Sequence, residues 1–241
     1  MPTRRIIDII RYQLSPFYIP RKYLSRDLKL VIEKHTFTGS ILDIGCGSKP
    51  YRPFFRDAIS YTGIDFETYS LHRGHRQEPP DYYFPPKYLE DFVLPFKDGQ
   101  FDNSVSFQVL EHHRSPAMMI SEMHRVTKNG GYMLITAPFL GGVHEAPNDF
   151  QRYTRYGLQN LFAEHNIELV ELVAQGSIAS TIAMLLNEYV DNLVRRGGTT
   201  MVIGLIIYAP ILIYSRVSPF LDFFTSSKDI CFNYLVLARK K

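Results

Sequence analysis

Apolar residues along the chain follow two spacings, and the order of these spacings predicts a fold class. Short segments that read as strands occupy seven places: residues 41–44, 61–65, 88–91, 101–109, 132–139, 167–174 and 230–238. Most of the stretches between them carry apolar residues every three to four positions, as amphipathic helices do. Strands that alternate with helices predict an α/β fold with a doubly wound, mostly parallel seven-stranded sheet.

The helical stretches carry start and stop signals. Apolar periodicity predicts helices near residues 4–14, 25–35, 53–57, 115–128 and 154–163. Ser115 followed by Pro116 is a preferred helix start, and the Asn129–Gly131 turn ends that helix. Thr154 is expected to cap the helix that runs through Ala163.

These signals divide the chain into four parts. Residues 1–37 form a basic helical arm or cap, and 38–175 form the α/β core. Residues 176–228 form an apolar helical insert, and 229–241 supply a last strand that completes the core sheet.

Composition describes an ordinary globular protein. The chain has 241 residues, 45% of them apolar and 21% charged, as in soluble domains. Cys46 and Cys231 are too few for a disulfide framework and belong to no zinc-spaced pattern, which predicts a reducing, cytoplasmic location.

The charge is uneven along the chain. Residues 1–35 hold eight Lys/Arg and three Asp/Glu, whereas the whole chain has a net charge of +3. A basic arm of this kind fits an anionic surface such as lipid headgroups, or it is a solvated helix face. The start "MPTRRIIDII" is not a secretory signal, because Asp8 and Arg11 interrupt its apolar residues.

The first predicted strand ends in a turn suited to a ligand. In "ILDIGCG", Gly45 and Gly47 allow a ligand to approach the backbone. Asp65 ends the second strand 22 residues after Asp43, where a carboxylate can accept hydrogen bonds from a ribose diol. Pro50 stands where a dinucleotide-binding turn has its third glycine, which argues against a bound pyrophosphate.

Four segments in order, "ILDIGCG", "YTGIDFE", "LPFKDGQFDNSVSFQVLEH" and "RVTKNGGYMLITAPF", resemble the motifs of class I S-adenosylmethionine (SAM) dependent methyltransferases of the type 11 kind. The resemblance covers about residues 38–175. It implies a Rossmann-like methyltransferase fold, with SAM as the cofactor of this core.

The resemblance also implies a set of cofactor-binding residues: Asp43, Gly45, Gly47, Asp65, Phe66, Asp91 and Gln108. The first three would surround the methionine part, Asp65 would hold the ribose hydroxyls, and Phe66 would lie against the adenine. Asp91, or alternatively Glu90, would accept from the adenine amino group, and Gln108 would lie near the sulfonium and the acceptor. Lys49 departs from the family pattern, which often has a third glycine there.

The segment "HEAPNDFQRYT", residues 144–154, follows the fifth predicted strand. It resembles a subgroup associated with surface-polysaccharide or glycolipid assembly. A hydroxyl acceptor profits from a base, and His144 is the candidate, with Glu145 orienting or replacing it. The residues expected to contact the acceptor are His112, Asp149, Arg152 and Tyr153. The alternative is a loop anchor in which Asp149 pairs with Arg152.

"EHHR", residues 111–114, raises the question of a metal. Adjacent histidines face different ways on most backbones, and no second ligand pair lies at helical spacing, so no metal is expected. His113 and His124 are expected at the surface.

The insert contains 19 uncharged residues, 197–215, flanked by Arg195, Arg196 and Arg216. By length this stretch could cross a membrane. Pro210 is expected to break the helix, and a single crossing would separate the last strand from its sheet. Three readings stay open: a buried lid over the acceptor, a segment in the membrane interface, or a span with the last strand wrongly assigned.

The function expected from these features is methyl transfer from SAM to a small-molecule, sugar or lipid-linked acceptor at oxygen. Contact with the cytoplasmic face of a membrane would involve residues 1–35 and 197–216. The alternatives are a non-catalytic, membrane-associated SAM-fold interaction module and a nicotinamide oxidoreductase. A nucleic-acid acceptor is not expected, because "QVLEHH" stands where a base-flipping enzyme has an Asn/Asp-Pro-Pro-aromatic motif.

Overall fold

A computed structural model describes residues 17–67, 78–85, 92–165, 167–225 and 229–241. Its strands are β1 (Gly39–Ile44), β2 (Ala58–Asp65), β3 (Tyr82–Tyr83), β4 (Asn103–Phe107), β5 (Tyr132–Pro138), β6 (Ile167–Gln175) and β7 (Asn233–Lys240). Its helices are α1 (Tyr18–His35), α2 (Pro116–Val126), α3 (Arg155–Ala163), α4 (Ile178–Arg196) and α5 (Gly198–Thr225). Two 3-10 turns cover Arg52–Phe54 and Leu110–His112.

The strands form one seven-stranded sheet in the order β3-β2-β1-β4-β5-β7-β6. The pairs β1–β2, β1–β4, β2–β3 and β4–β5 are parallel. The predicted fold class is therefore confirmed. Because the chain proceeds outward from β1 in both directions, the strand order reverses between β1 and β4, where open α/β sheets bind ligands.

The central strands are buried because both sheet faces are covered. Residues 41–44 of β1 and all of β4 are buried. On α2 the apolar stripe of Met119, Ile120, Met123 and Val126 is buried as well. This packing fixes the backbone from which the loops at the carboxyl ends of β1 and β4 extend.

Several predicted boundaries differ from the structure. The edge strand lies at Tyr82–Tyr83, outside every predicted strand, and the strand predicted at 88–91 falls outside the described residues. So does the helix predicted at 4–14. Helix α1 begins at Tyr18 rather than Ser25, because Pro20 lies in its first turn, where the missing N–H is not needed.

The chain divides into two compact units. One comprises the chain up to Asp27, Phe139–Gly142 and Ala174–Asn233, and the other comprises Leu28–Pro138, Val143–Val173 and Tyr234–Lys241. The second unit contains most of the sheet and every described residue that the sequence assigned to the cofactor or the acceptor.

In the first unit, α4 packs against α5. The side-chain amide of Asn187 on α4 donates to Ser215 Oγ on α5 at 2.8 Å, and α4 passes so close to Gly204 that an added Cβ would lie 3.0 Å from Val194. Helix α5 continues through Pro210, so the expected break is wrong. Contacts with α4 on both sides of the proline hold the helix together.

Helix α5 is, among the described residues, the one helix with the length and composition of a membrane span. Only 11% of its most apolar window is buried. The last strand, β7, lies between β5 and β6 in the sheet, so the assignment of that strand is confirmed.

Candidate active site

The turn after β1 is clamped to the end of β2. The amide of Gly47 donates to Asp65 Oδ2 at 2.5 Å, and the amide of Phe66 donates to Asp65 Oδ1 at 2.6 Å. A Cβ added at Gly47 would meet no atom of the described residues within 4 Å. The structure thus brings the predicted glycine turn and the predicted ribose acid together, with open space beside the glycine.

Lys49 adopts the backbone conformation expected of the glycine that often stands at this position. Its φ is 54°, in the left-handed region that favours glycine. The Lys49 ammonium lies 2.7 Å from the Asp81 carboxylate, which also accepts from the Gly63 amide at 2.7 Å. The departure from the family pattern therefore leaves the turn in a glycine-like conformation.

Asp43 lies buried beneath the turn. Its Oδ2 accepts from the Tyr61 hydroxyl at 2.6 Å, whereas its Oδ1 has no hydrogen-bond partner among the described residues. Burial raises the pKa of this carboxyl to about 7. An acceptor oxygen without a partner is suited to a donor group on a ligand, since buried polar atoms are rarely left unpaired.

Gln108 directly follows β4. Its φ is 57°, and its side-chain amide and backbone amide both donate to Thr136 Oγ1, at 2.9 and 3.0 Å. A non-glycine residue held in this conformation is strained, and such residues cluster at ligand sites. Of the predicted adenine contacts, Phe66 packs on Phe84 with ring centroids 4.7 Å apart, and Asp91 and Glu90 lie outside the described residues.

A second polar cluster follows β5. Arg152 forms two hydrogen bonds to Asp149, at 2.6 and 2.8 Å, so the ion pair of the loop-anchor reading is present. This guanidinium lowers the pKa of Asp149 to about 2. The Asp149 carboxylate accepts from the His144 amide at 2.9 Å and lies 3.4 Å from His144 Nδ1.

Two imidazoles meet in this cluster. The rings of His112 and His144 lie 4.8 Å apart at 84°. His112 Nδ1 is 2.7 Å from the Asn148 carbonyl oxygen, and His112 Nε2 is 3.8 Å from Glu145 Oε2. The structure therefore places Asp149 at the His144 ring and Glu145 at the His112 ring, whereas the sequence paired Glu145 with His144.

Sequence reasoning gave no role to Glu111, which lies in the 3-10 turn after β4. Its side chain is fully buried, and neither carboxylate oxygen accepts a hydrogen bond from another described residue. Burial raises the pKa of this carboxyl to about 8. The sequence feature that points to Glu111 is an acid at a strand end directly before two histidines. Ligand pairs at helical spacing do not include it.

Hydrogen bonds on either side of the Glu111 side chain join two segments of the chain. The Tyr153 hydroxyl donates to the Leu110 carbonyl at 2.9 Å, and the Phe150 amide donates to the Glu111 carbonyl at 2.9 Å. These bonds join the 144–154 loop to the turn. His113 is buried against Phe92, with ring centroids 4.4 Å apart, so its expected surface position is wrong. Burial lowers its pKa to about 4.

Comparison with known proteins decides the identity of this fold. Residues 42–135 match the methyltransferase domain family. These residues form a SAM-dependent methyltransferase domain. The match favours a methyltransferase over the nicotinamide oxidoreductase that the sequence left as an alternative.

Two curated proteins are similar to this methyltransferase domain. The malonyl-[acyl-carrier protein] O-methyltransferase of Erwinia pyrifoliae is 30% identical over 144 residues, which are 59% of this chain and 53% of that protein. The phosphatidylethanolamine N-methyltransferase of Cereibacter sphaeroides is 27% identical over 146 residues, 55% of this chain and 72% of that protein. The chain thus spans about half the length of the first of these relatives.

A solved structure shares the fold of the methyltransferase. The Haemonchus contortus phosphoethanolamine N-methyltransferase 2, in complex with SAM, has a TM-score of 0.51 and 19% identity, covering 89% of this chain and 52% of that chain. SAM is the cofactor of this domain. The residues present fit it, since the turn at Gly47 is open and Asp43 Oδ1 offers an acceptor without a partner.

Proposed function

We propose that the protein transfers a methyl group from SAM to an oxygen atom of a small-molecule, sugar or lipid-linked acceptor. The observation that carries the proposal is the cluster of two imidazoles and three carboxylates at His112, His144, Glu111, Glu145 and Asp149. A hydroxyl must lose its proton as it is methylated, whereas a neutral amine attacks before it loses one. A site rich in proton acceptors therefore favours oxygen.

The cofactor, when bound, supplies a methyl group already activated by positively charged sulfur. Asp43, Asp65 and Gly47 hold it through the open turn, and Gln108 lies at the neighbouring strand end. The protein contributes to the reaction mainly by aligning the acceptor with the methyl group and by excluding water.

His144 is the proposed base. Arg152 fixes the Asp149 carboxylate, which faces His144 Nδ1 at 3.4 Å. This arrangement favours the proton on Nδ1 and makes Nε2 the accepting nitrogen. His112 and Glu145 extend the cluster toward the acceptor, and the acceptor contacts assigned to Arg152 and Tyr153 stay predictions.

The names of the relatives support the acceptor class. One is named for transfer to oxygen and the other for a phospholipid. We propose a lipid-linked acceptor at the cytoplasmic face of a membrane, because helix α5 exposes large apolar side chains: Met201, Val202, Ile203, Leu205, Ile206, Ile213, Val217, Phe220, Phe223 and Phe224. This exposure supports the interfacial reading of residues 197–215 over the buried lid.

A single-crossing span fits less well, since β7 follows α5 and returns to the sheet. The basic segment 1–35 is proposed to add attraction to anionic headgroups.

Replacing His144 with Gln tests the base. The variant should bind SAM like the wild type in calorimetry, while turnover falls by about 10²- to 10⁴-fold. Radiolabelled SAM and fractionated cell lipids, glycans and RNA supply the acceptors. His124→Gln, on α2 outside the cluster, is the matched control and should retain wild-type turnover.

Unchanged turnover of His144→Gln with intact SAM binding would remove the base. SAM binding without label transfer to any fraction would favour the interaction module instead, and label in RNA alone would contradict the acceptor class.

A further inference from the structure

We propose that Glu111, His112 and His144 together bind one divalent transition-metal ion, with Zn²⁺ the preferred ion. The inference goes beyond the proposed function and rests on it only for what the ion would do to the acceptor. The sequence predicted no metal, because the adjacent histidines of "EHHR" were expected to face different ways and no second ligand pair lies at helical spacing. His112 and His144 stand 32 positions apart, so no local spacing relates them. The fold brings them together by joining the 144–154 loop to the turn after β4.

One ligand atom from each residue converges on a common point. The three atoms all lie within 4.8 Å of one another. Glu111 Oε1 is 4.0 Å from His112 Nε2 and 3.9 Å from His144 Nε2. Tetrahedral zinc with bonds of about 2.1 Å holds its ligands about 3.4 Å apart. The two distances to Glu111 exceed this by roughly half an ångström, and the limit of 4.8 Å for the whole cluster exceeds it by about 1.4 Å, so binding would require side-chain rotations that draw the three atoms together.

The carboxylate of Glu111 is the second, independent observation. It is fully buried, with both oxygens lacking a hydrogen-bond partner among the described residues. A buried carboxylate without donors is costly, and buried charges in proteins are paired or coordinate metals. The imidazole nitrogens beside it cannot satisfy it at 3.9 and 4.0 Å, because a hydrogen bond needs a much shorter separation. An ion between them would satisfy all three groups.

The Nδ1 atoms of both histidines face oxygen atoms, as they do in metal-binding histidines. His112 Nδ1 lies 2.7 Å from the Asn148 carbonyl oxygen, and His144 Nδ1 lies 3.4 Å from the Asp149 carboxylate. Metal-binding histidines donate their other ring N–H to such oxygens, which orients the ring and leaves Nε2 as the ligand atom.

The donor set selects the ion. Two imidazoles and one carboxylate suit zinc and similar transition metals, whereas Mg²⁺ prefers oxygen ligands alone. Three protein ligands leave a fourth position, as in catalytic zinc sites. An acceptor hydroxyl in that position becomes more acidic. With the ion bound, the lone pair of His144 Nε2 is used for coordination and cannot accept a proton. The base role proposed for His144 then passes to Glu145, beside His112, which would receive the hydroxyl proton as the oxygen–methyl bond forms and the sulfur–methyl bond breaks.

Metal titration of the chelator-treated full chain tests the site without any acceptor. We expect one Zn²⁺ per chain by calorimetry, and a visible absorption band when Co²⁺ is used as the probe. Glu111→Gln keeps the shape of the side chain but removes a charged ligand, and should weaken Zn²⁺ binding by at least about tenfold and abolish the Co²⁺ band. Mg²⁺ should not compete.

His112→Asn is the second ligand variant, for use if Glu111→Gln does not fold, and SAM binding reports whether each variant is intact. The matched control is His124→Asn, which removes a histidine outside the cluster and should bind Zn²⁺ like the wild type. Absence of Zn²⁺ binding, or equal affinity in the wild type and an intact ligand variant, would overturn the proposal. Because the readout is binding, this failure is separate from a failure of methyl transfer.

Discussion

Lys49 shows how one side chain holds a backbone conformation that usually belongs to glycine. A non-glycine residue at positive φ costs about 1–2 kcal/mol. The Lys49 side chain is 4% exposed and its ammonium lies 2.7 Å from Asp81, so packing and charge offset this cost. Gly63 makes the packing feasible, because a Cβ there would lie 2.6 Å from Cys46 Sγ. The cofactor turn therefore depends on a neighbouring strand.

Asp43 should make stability depend on pH in the cofactor-free protein. Burial raises its pKa to about 7 from the usual value of 3.8, so the folded state retains a proton that the unfolded chain releases. The stability from the protonated form is fully present below about pH 4 and is lost as pH rises through about 7. Chemical denaturation of the wild type and of Asp43→Asn between pH 4 and pH 8 measures it.

The asparagine variant cannot titrate, yet it can still accept from the Tyr61 hydroxyl. The wild type should therefore lose free energy of unfolding relative to the variant as pH rises, on the order of a few kcal/mol. A difference between the two proteins that stays constant over this range would contradict the buried neutral carboxyl.

At the residue scale, the sequence identified the cofactor turn but not all of the polar cluster. Gly47 and Asp65 were predicted together because a strand–turn–helix pattern fixes where strand ends meet. Glu111 was given no role and His113 was predicted at the surface, because burial of a polar residue depends on which distant segment covers it. The 144–154 loop that bonds to Glu111 lies more than thirty residues away in sequence, and Phe92, which packs on His113, lies about twenty residues before it.

Among the elements, helices α2 and α3 begin with similar sequence signals but different capping. Thr154 Oγ1 accepts from the Gly157 amide at 3.0 Å. Ser115 occupies the corresponding position before α2 and makes no side-chain capping bond, so its predicted capping role is wrong. Its φ of −125° and ψ of 86° differ from the Thr154 values of −81° and 162°, and the hydroxyl does not bond to the first turn.

Thr154→Ala and Ser115→Ala form a matched pair that tests this difference. Loss of the Thr154 cap should lower the free energy of unfolding by about 1 kcal/mol. Loss of the Ser115 hydroxyl should change it by no more than about 0.5 kcal/mol, since no bond to the helix is broken. Urea denaturation of both variants measures the two values, and equal losses would show that capping does not distinguish the helices.

Element types followed from the sequence more reliably than element ends. Strands β1, β4 and β5 are largely buried, and their positions were predicted. The two-residue strand β3 is too short to show any period, and it forms because Tyr82 pairs with Ile64 of β2. Pro210 was expected to end a helix, but packing of α5 on α4 overrides that preference.

At the scale of the whole molecule, exposed apolar surface is concentrated on α5. Ile206 is 70% exposed and Phe223 is 82% exposed, and Arg195 and Arg196 precede the helix. An apolar helix with basic residues at one end is suited to an anionic membrane interface, where apolar burial and headgroup attraction act together. Outside this helix, Ile59 on β2 is 88% exposed and Val143 is 80% exposed, and Ile59 offers a comparably exposed control position.

Flotation with lipid vesicles tests whether α5 contacts membranes. The wild type should float with vesicles that contain anionic lipid, and less with zwitterionic vesicles, since basic residues contribute about 1 kcal/mol each near a charged surface. The double variant Ile206→Glu, Phe223→Glu should lose at least about tenfold in partitioning, because two apolar side chains no longer enter the interface. Ile59→Glu adds one charge at an equally exposed position on the other unit and should float like the wild type. Equal flotation of the double variant and the wild type, or a wild type that stays in the aqueous fraction as a dimer, would show that α5 serves another contact.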